Sequence, residues 1–147
     1  MLGIVFSIIK KAFLVITILL LSLLLFSCKD YKKQIFSIVQ DNQEVLQECV
    51  KTNDYERAKK IDGIEEVKYY QTGPYTEFYC YGEGIVSSSV YYGFYYSPDD
   101  APLGILYAAE EDLEPDEKGF SYETPDSDNW YYTERITKNW YYYEVHS

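Results

Sequence analysis

Val90-Tyr91-Tyr92-Gly93-Phe94-Tyr95-Tyr96 sets the class of the fold. The run is aromatic and β-branched, and it stops at Ser97-Pro98-Asp99-Asp100, a turn-forming cluster, so it reads as a strand. A period of two sends Val90, Tyr92, Phe94 and Tyr96 to the core side. The same alternation places Phe78 with Cys80, and Trp130 with Tyr132 and Ile136, on that face. In the last run, Trp140-Tyr141-Tyr142-Tyr143-Glu144-Val145, the set Trp140 and Tyr142 competes with the set Tyr141, Tyr143 and Val145 for the inside. Eighteen tyrosines in 147 residues exceed what one buried face requires. Every second side chain of a strand points away from the core, so the surplus either packs across strands or covers a partner.

Working outward, strands are predicted at about 64–71, 76–82, 88–97, 104–109, 120–124, 130–137 and 140–145. Thr72-Gly73-Pro74, Pro125-Asp126-Ser127-Asp128-Asn129 and Thr137-Lys138-Asn139 supply turns, and such short connections imply antiparallel neighbours. Gly82-Glu83-Gly84 lacks the third glycine and the following helix of a dinucleotide loop, so it is read as part of a hairpin. Upstream, residues 30–52 carry Ile35, Ile38, Val39, Leu46, Cys49 and Val50 at steps of three and four, interrupted by Asn42. Gln40, Asp41, Gln43, Glu44, Gln47 and Glu48 fall opposite. That is an amphipathic helix with one apolar face, suited to lying on a sheet. Residues 55–60 add a further helical turn before Gly63. The predicted architecture is α+β: an N-terminal membrane segment, then one amphipathic helix packed on an antiparallel β-meander of about six strands.

Ahead of the helix, residues 12–27 are uncharged and follow Lys10-Lys11, the layout of a targeting segment. As a helix they span roughly 24 Å, shorter than the roughly 30 Å hydrocarbon core of a bilayer. Leu25-Phe26-Ser27-Cys28 resembles the lipobox of bacterial lipoproteins. That resemblance implies lipid attachment at Cys28, which would become the first residue of the mature chain, with residues 1–28 a signal peptide. The other readings of 1–28 are an uncleaved anchor and an ordinary cleaved signal. With lipid attachment or an uncleaved anchor the bilayer is a partner through the N-terminus, and 29–147 form a single domain.

All 24 acidic residues follow Cys28, and 11 of them lie between Asp99 and Asp128 with only Lys118 in opposition. A net charge of −11 excludes nucleic acid as a partner, since phosphate binding needs clustered cations. The acidic run is a solvated face that is also suited to steering a basic partner. With Cys28 assigned to the anchor, Cys49 and Cys80 either form a disulfide or pack as two buried thiols. No cofactor and no metal are predicted, because the chain has one histidine. A weak calcium alternative rests on Asp126 and Asp128, although Trp130 stands where a further oxygen ligand belongs. His146, the only histidine, is expected in a frayed terminus, away from Ser87-Ser88-Ser89.

The candidate contact residues are Trp130, Tyr131, Trp140, Tyr141 and Tyr143, since exposed tyrosine and tryptophan make good protein, peptide and sugar contacts. The segments Tyr91 to Asp100, Asp128 to Ile136 and Asn139-Trp140-Tyr141-Tyr142-Tyr143-Glu144 resemble those of small membrane-anchored proteins from low-GC Gram-positive bacteria. The resemblance implies an envelope origin, on the outer face of a plasma membrane, and carries no activity with it. The expected function is non-enzymatic: binding a protein or peptide through exposed aromatics beside an acidic edge. The alternative is a carbohydrate-binding module for wall glycans, and the third reading is a carboxylate-based hydrolase, which needs two carboxyl groups facing each other in a cleft.

Overall fold

A computed structural model describes residues 30–147 except 72, 74, 86, 87, 106–108 and 126. The expected membrane segment and Cys28 therefore lie outside the described residues, among which no helix is long and apolar enough to cross a membrane.

Helix α1, Tyr31–Thr52, forms where the apolar stripe predicts it. Ile35, Val39, Leu46 and Cys49 are buried, and the polar set from Gln40 to Glu48 named above is exposed. Asn42 breaks the regular dihedrals, with φ −120° and ψ 16°, and its side-chain amide donates to the Ile38 carbonyl at 2.9 Å. A side-chain donor to the backbone locally replaces helix geometry, so the stripe resumes on the same side after one irregular residue. Asn53, with φ 56°, ends the helix in the left-handed region. Asp54 then caps the short helix α2, Tyr55–Ala58, by accepting from the Arg57 N–H at 3.2 Å.

Seven strands follow: β1 Glu66–Tyr70, β2 Tyr75–Ile85, β3 Ser88–Tyr96, β4 Glu114–Asp116, β5 Gly119–Glu123, β6 Trp130–Thr137 and β7 Trp140–His146. They form one antiparallel sheet in the order β1-β2-β3-β7-β6-β5-β4. This corrects the simple meander of about six strands. The chain leaves β3, crosses to the far edge of the sheet, and returns through β4, β5 and β6, so that β7 closes against β3. Of the strand predicted at 104–109, Gly104, Ile105 and Ala109 are irregular, and 106–108 lie outside the described residues. Ile105 serves to cover a sheet face, which needs no ladder. Pro115, which has no N–H to donate, sits in the edge strand β4. The C-terminus is not frayed either, since Ser147 and Ser89 exchange backbone hydrogen bonds of 2.8 and 3.0 Å.

Each face of the sheet carries a buried core. On one, α1 packs Ile35, Val39, Leu46 and Cys49 against Phe78, Cys80, Phe94, Trp140 and Tyr142. On the other, Leu103, Ile105 and Leu113 of the crossing segment pack with Tyr95, Tyr131, Tyr141, Tyr143 and Val145. The two competing sets of β7 therefore both win, each inside its own layer. The start of α1 is held to the first layer by Lys32, which is ion-paired with Glu134 and lies 4.9 Å above the Tyr132 ring centroid and 5.5 Å above that of Tyr142.

The second layer explains the tyrosines. An irregular covering segment carries backbone groups that no ladder satisfies, and burying them unpaired is costly. The Tyr95 hydroxyl accepts from the Leu103 N–H at 2.9 Å, the Tyr131 hydroxyl donates to the Leu103 carbonyl at 2.8 Å, and the Tyr141 hydroxyl donates to the Asp100 carbonyl at 2.7 Å. The Asn139 side chain, in a turn residue with φ 66°, donates to the Ser97 and Pro98 carbonyls at 2.9 Å each.

Candidate functional site

The crossing segment covers only part of the second face. Towards β1 an open groove of about 480 Å³ remains, lined by Glu66 and Lys68 of β1, Glu77 and Tyr79 of β2, Tyr91 of β3, and Tyr143 and Val145 of β7. Register brings them together. Glu66 is opposite Tyr79, Lys68 is opposite Glu77, and Tyr91 is opposite Val145, so alternation along four neighbouring strands presents all seven to one side. Gly93 is opposite Tyr143, and a Cβ there would meet the Phe78 carbonyl and lie 2.7 Å from the Tyr143 ring, so its absence lets that ring lie across the sheet as the groove floor.

Tyr79 and Tyr91 form a corner with centroids 6.3 Å apart and planes at 59°. Tyr91 is 38% exposed, while Tyr143 is buried and shows its hydroxyl end to the groove by donating to Glu77 Oε1 at 2.7 Å. Lys68 Nζ reaches Glu66 Oε2 at 3.0 Å, and that hydrogen bond raises the lysine above its ordinary value. Burial, then the Glu77 charge and hydrogen bond, raise Tyr70 and Tyr143; burial also raises Tyr79. These phenols stay protonated at neutral pH and act as donors. The groove thus offers hydroxyl donors, two carboxylates, one ammonium and aromatic walls.

Of the five contact residues predicted from sequence, the structure places four in the core: Tyr131, Trp140, Tyr141 and Tyr143 are 4% exposed or less. Their strands have a covering layer on each side, so alternation exposes none of them. Trp130 is half-buried and stacks on His146 at 4.1 Å, with His146 Nε2 2.8 Å from Glu144 Oε1. Of the five, Tyr143 alone lines the groove. The acidic edge also separates from it. Glu111, Asp112, Glu114 and Glu123 line a hollow of about 420 Å³ beside β4, at the other end of the strand order from β1.

Cys49 and Cys80, the two residues of the possible disulfide, are free thiols buried in the helix-side core. Burial raises both thiols, and Cys80 Sγ points to the Phe78 carbonyl at 3.8 Å. Asp128 is exposed in a turn, Asp126 lies outside the described residues, and among the described residues no three potential ligands gather as a metal group. Among the described residues two carboxyls are lowered, and both serve structure. The Asn139 N–H holds Asp100 down, helped by Arg135; for Glu134, desolvation pushes upward but hydrogen bonds from Lys32 and Tyr132 outweigh it.

The groove residues Glu66, Lys68, Glu77 and Tyr79 escaped the sequence reading, which followed aromatic runs. A signal was present in Glu66-Val67-Lys68-Tyr69 and Glu77-Phe78-Tyr79-Cys80, where charged or hydroxylated side chains alternate with apolar ones. Comparison with protein-family models, with curated proteins and with solved structures finds no match.

Proposed function

We propose that this chain is a non-enzymatic binding protein of a cell envelope, tethered through residues 1–28, that seats a basic segment of a protein partner in the Tyr79–Tyr91 groove. The observation that carries the reading is the convergence of Tyr79, Tyr91 and Tyr143 with Glu66 and Glu77 in an open concavity. A lysine or arginine side chain entering it gains carboxylate partners and aromatic faces together, and the net charge of −11 draws such a partner in. Reactive chemistry is disfavoured at Tyr79 and Tyr143, because both phenols are raised and a tyrosine base requires a lowered value.

One observation favours a glycan as second reading: Glu66, Lys68 and Glu77 supply both donors and acceptors around tyrosine rings, as sugar hydroxyls require. Titration of the full-length chain in detergent with arginine-bearing peptides and with wall-type oligosaccharides separates the two. Peptide binding should weaken at least tenfold with Tyr91→Ala or Glu77→Gln and fade as salt rises. Salt-independent oligosaccharide binding with the same mutational sensitivity would transfer the function to the glycan. Binding of either that ignores Tyr91→Ala removes the groove from the account.

A further inference from the structure

We propose that the domain pairs with a second copy of itself through the outer edge of β1, in an antiparallel register centred on Val67. β1 stands at one end of the strand order, so its outer backbone groups face no further strand of the sheet. Edge strands commonly carry charge that discourages pairing. Here the charges alternate in sign at a two-residue spacing, Glu66 then Lys68, and half of each side chain is exposed. About Val67 that pattern is self-complementary. Glu66 faces Lys68 of the second copy, Lys68 faces its Glu66, and the two valines meet on the axis.

The other side of the strand fits the same register. Tyr69 stacks on Tyr55 with ring centroids 6.5 Å apart and is still 49% exposed. It falls opposite Glu65 of the second copy, whose carboxylate can accept the tyrosine hydroxyl. Glu65 is already extended, with its N–H bonded to the Tyr79 carbonyl at 2.9 Å, so pairing runs over residues 65–69 of both copies. Directly opposed residues share a face, so this register keeps the α1 helices on one side of the joined sheet and both grooves on the other. A register centred on Lys68 sets like charges opposite each other and is disfavoured. Glu66 and Lys68 also line the groove, so the pairing is measured without added ligand.

Sedimentation velocity of the full-length chain in detergent, over a concentration series reaching the upper micromolar range, tests the proposal. The wild type should move to two chains per particle, with amide exchange at 65–69 slowing as concentration rises. Glu66→Lys sets four cations against one another and should raise the dissociation constant at least tenfold. The swap Glu66→Lys with Lys68→Glu restores opposite signs in the same register and should restore the dimer. A single chain per particle throughout, or a dimer that Glu66→Lys leaves intact, overturns the proposal. So does a swap variant that melts like the wild type yet stays monomeric.

Discussion

Tyr95→Phe removes one oxygen from the core and tests whether hydroxyls hold the crossing segment to the sheet. The ring is fully buried and stacked on Tyr141 at 5.4 Å and 9°, contacts that phenylalanine keeps. What disappears is the acceptor of the Leu103 N–H at 2.9 Å and a partner of Thr133 Oγ1 at 2.8 Å. The Thr133 hydroxyl still reaches the Tyr142 carbonyl at 2.9 Å, so its loss is small. The Leu103 N–H is left in a partly buried place without its acceptor, which costs about 1–3 kcal/mol. We expect a loss of about 2 kcal/mol in urea unfolding at neutral pH, or a fall in Tm of roughly 10 °C for a domain of this size. Tyr131→Phe frees the Leu103 carbonyl, the other half of the same peptide grip. The two losses should therefore be less than additive, with a coupling of about 1 kcal/mol. Tyr69→Phe, at a half-exposed ring, should stay within about 0.5 kcal/mol of wild type. A Tyr95→Phe variant as stable as that control, or full additivity with Tyr131→Phe, would refute the reasoning.

Two pH dependences follow from the same network. Burial pushes Tyr75 and Tyr95 up to about 12 from an ordinary 10.0. The unfolded chain therefore loses these protons first, and the stabilisation is complete below pH 10 and lost as pH rises towards 12. Ultraviolet titration of phenolate should show a first group of exposed tyrosines, then a cooperative rise that coincides with loss of circular dichroism. At the acid end, Asp100 lies below its ordinary 3.8, so its contribution is present above that value and disappears as pH falls through the lower folded one. Asp100→Asn should lower Tm at pH 7, and the gap from wild type should close below about pH 4; a gap independent of pH would show that charge is not the cause.

The helix was legible because one apolar stripe determines it. Asn42 sits where the stripe needs an apolar residue, and the structure meets the sequence there with a local break that leaves Leu46 and Cys49 in place. Strands β2, β3, β6 and β7 were legible for a similar local reason, since aromatic runs between turn clusters have few other uses. The strand order was not, because placing β7 beside β3 depends on where the segment after Ser97 travels. Nothing local distinguishes Ile105 in a covering layer from the same residue in a strand.

That one ambiguity propagated to the site. A sheet with one covered face must expose half of its tyrosines, which made Tyr131, Tyr141 and Tyr143 look like contacts. A sheet covered on both faces buries them, and it needs their hydroxyls where the second cover is irregular chain. Phenylalanine would fill the same volume but leave Leu103 and Asp100 backbone groups unpaired. Exposure is then confined to the part of the face that the crossing segment does not reach, which is why the groove lies at β1, β2, β3 and the end of β7. The path that hides the predicted contact residues is the path that leaves Tyr79 and Tyr91 open, so a change that redirected the segment, such as Tyr95→Phe with Tyr131→Phe, should alter ligand access as well as stability.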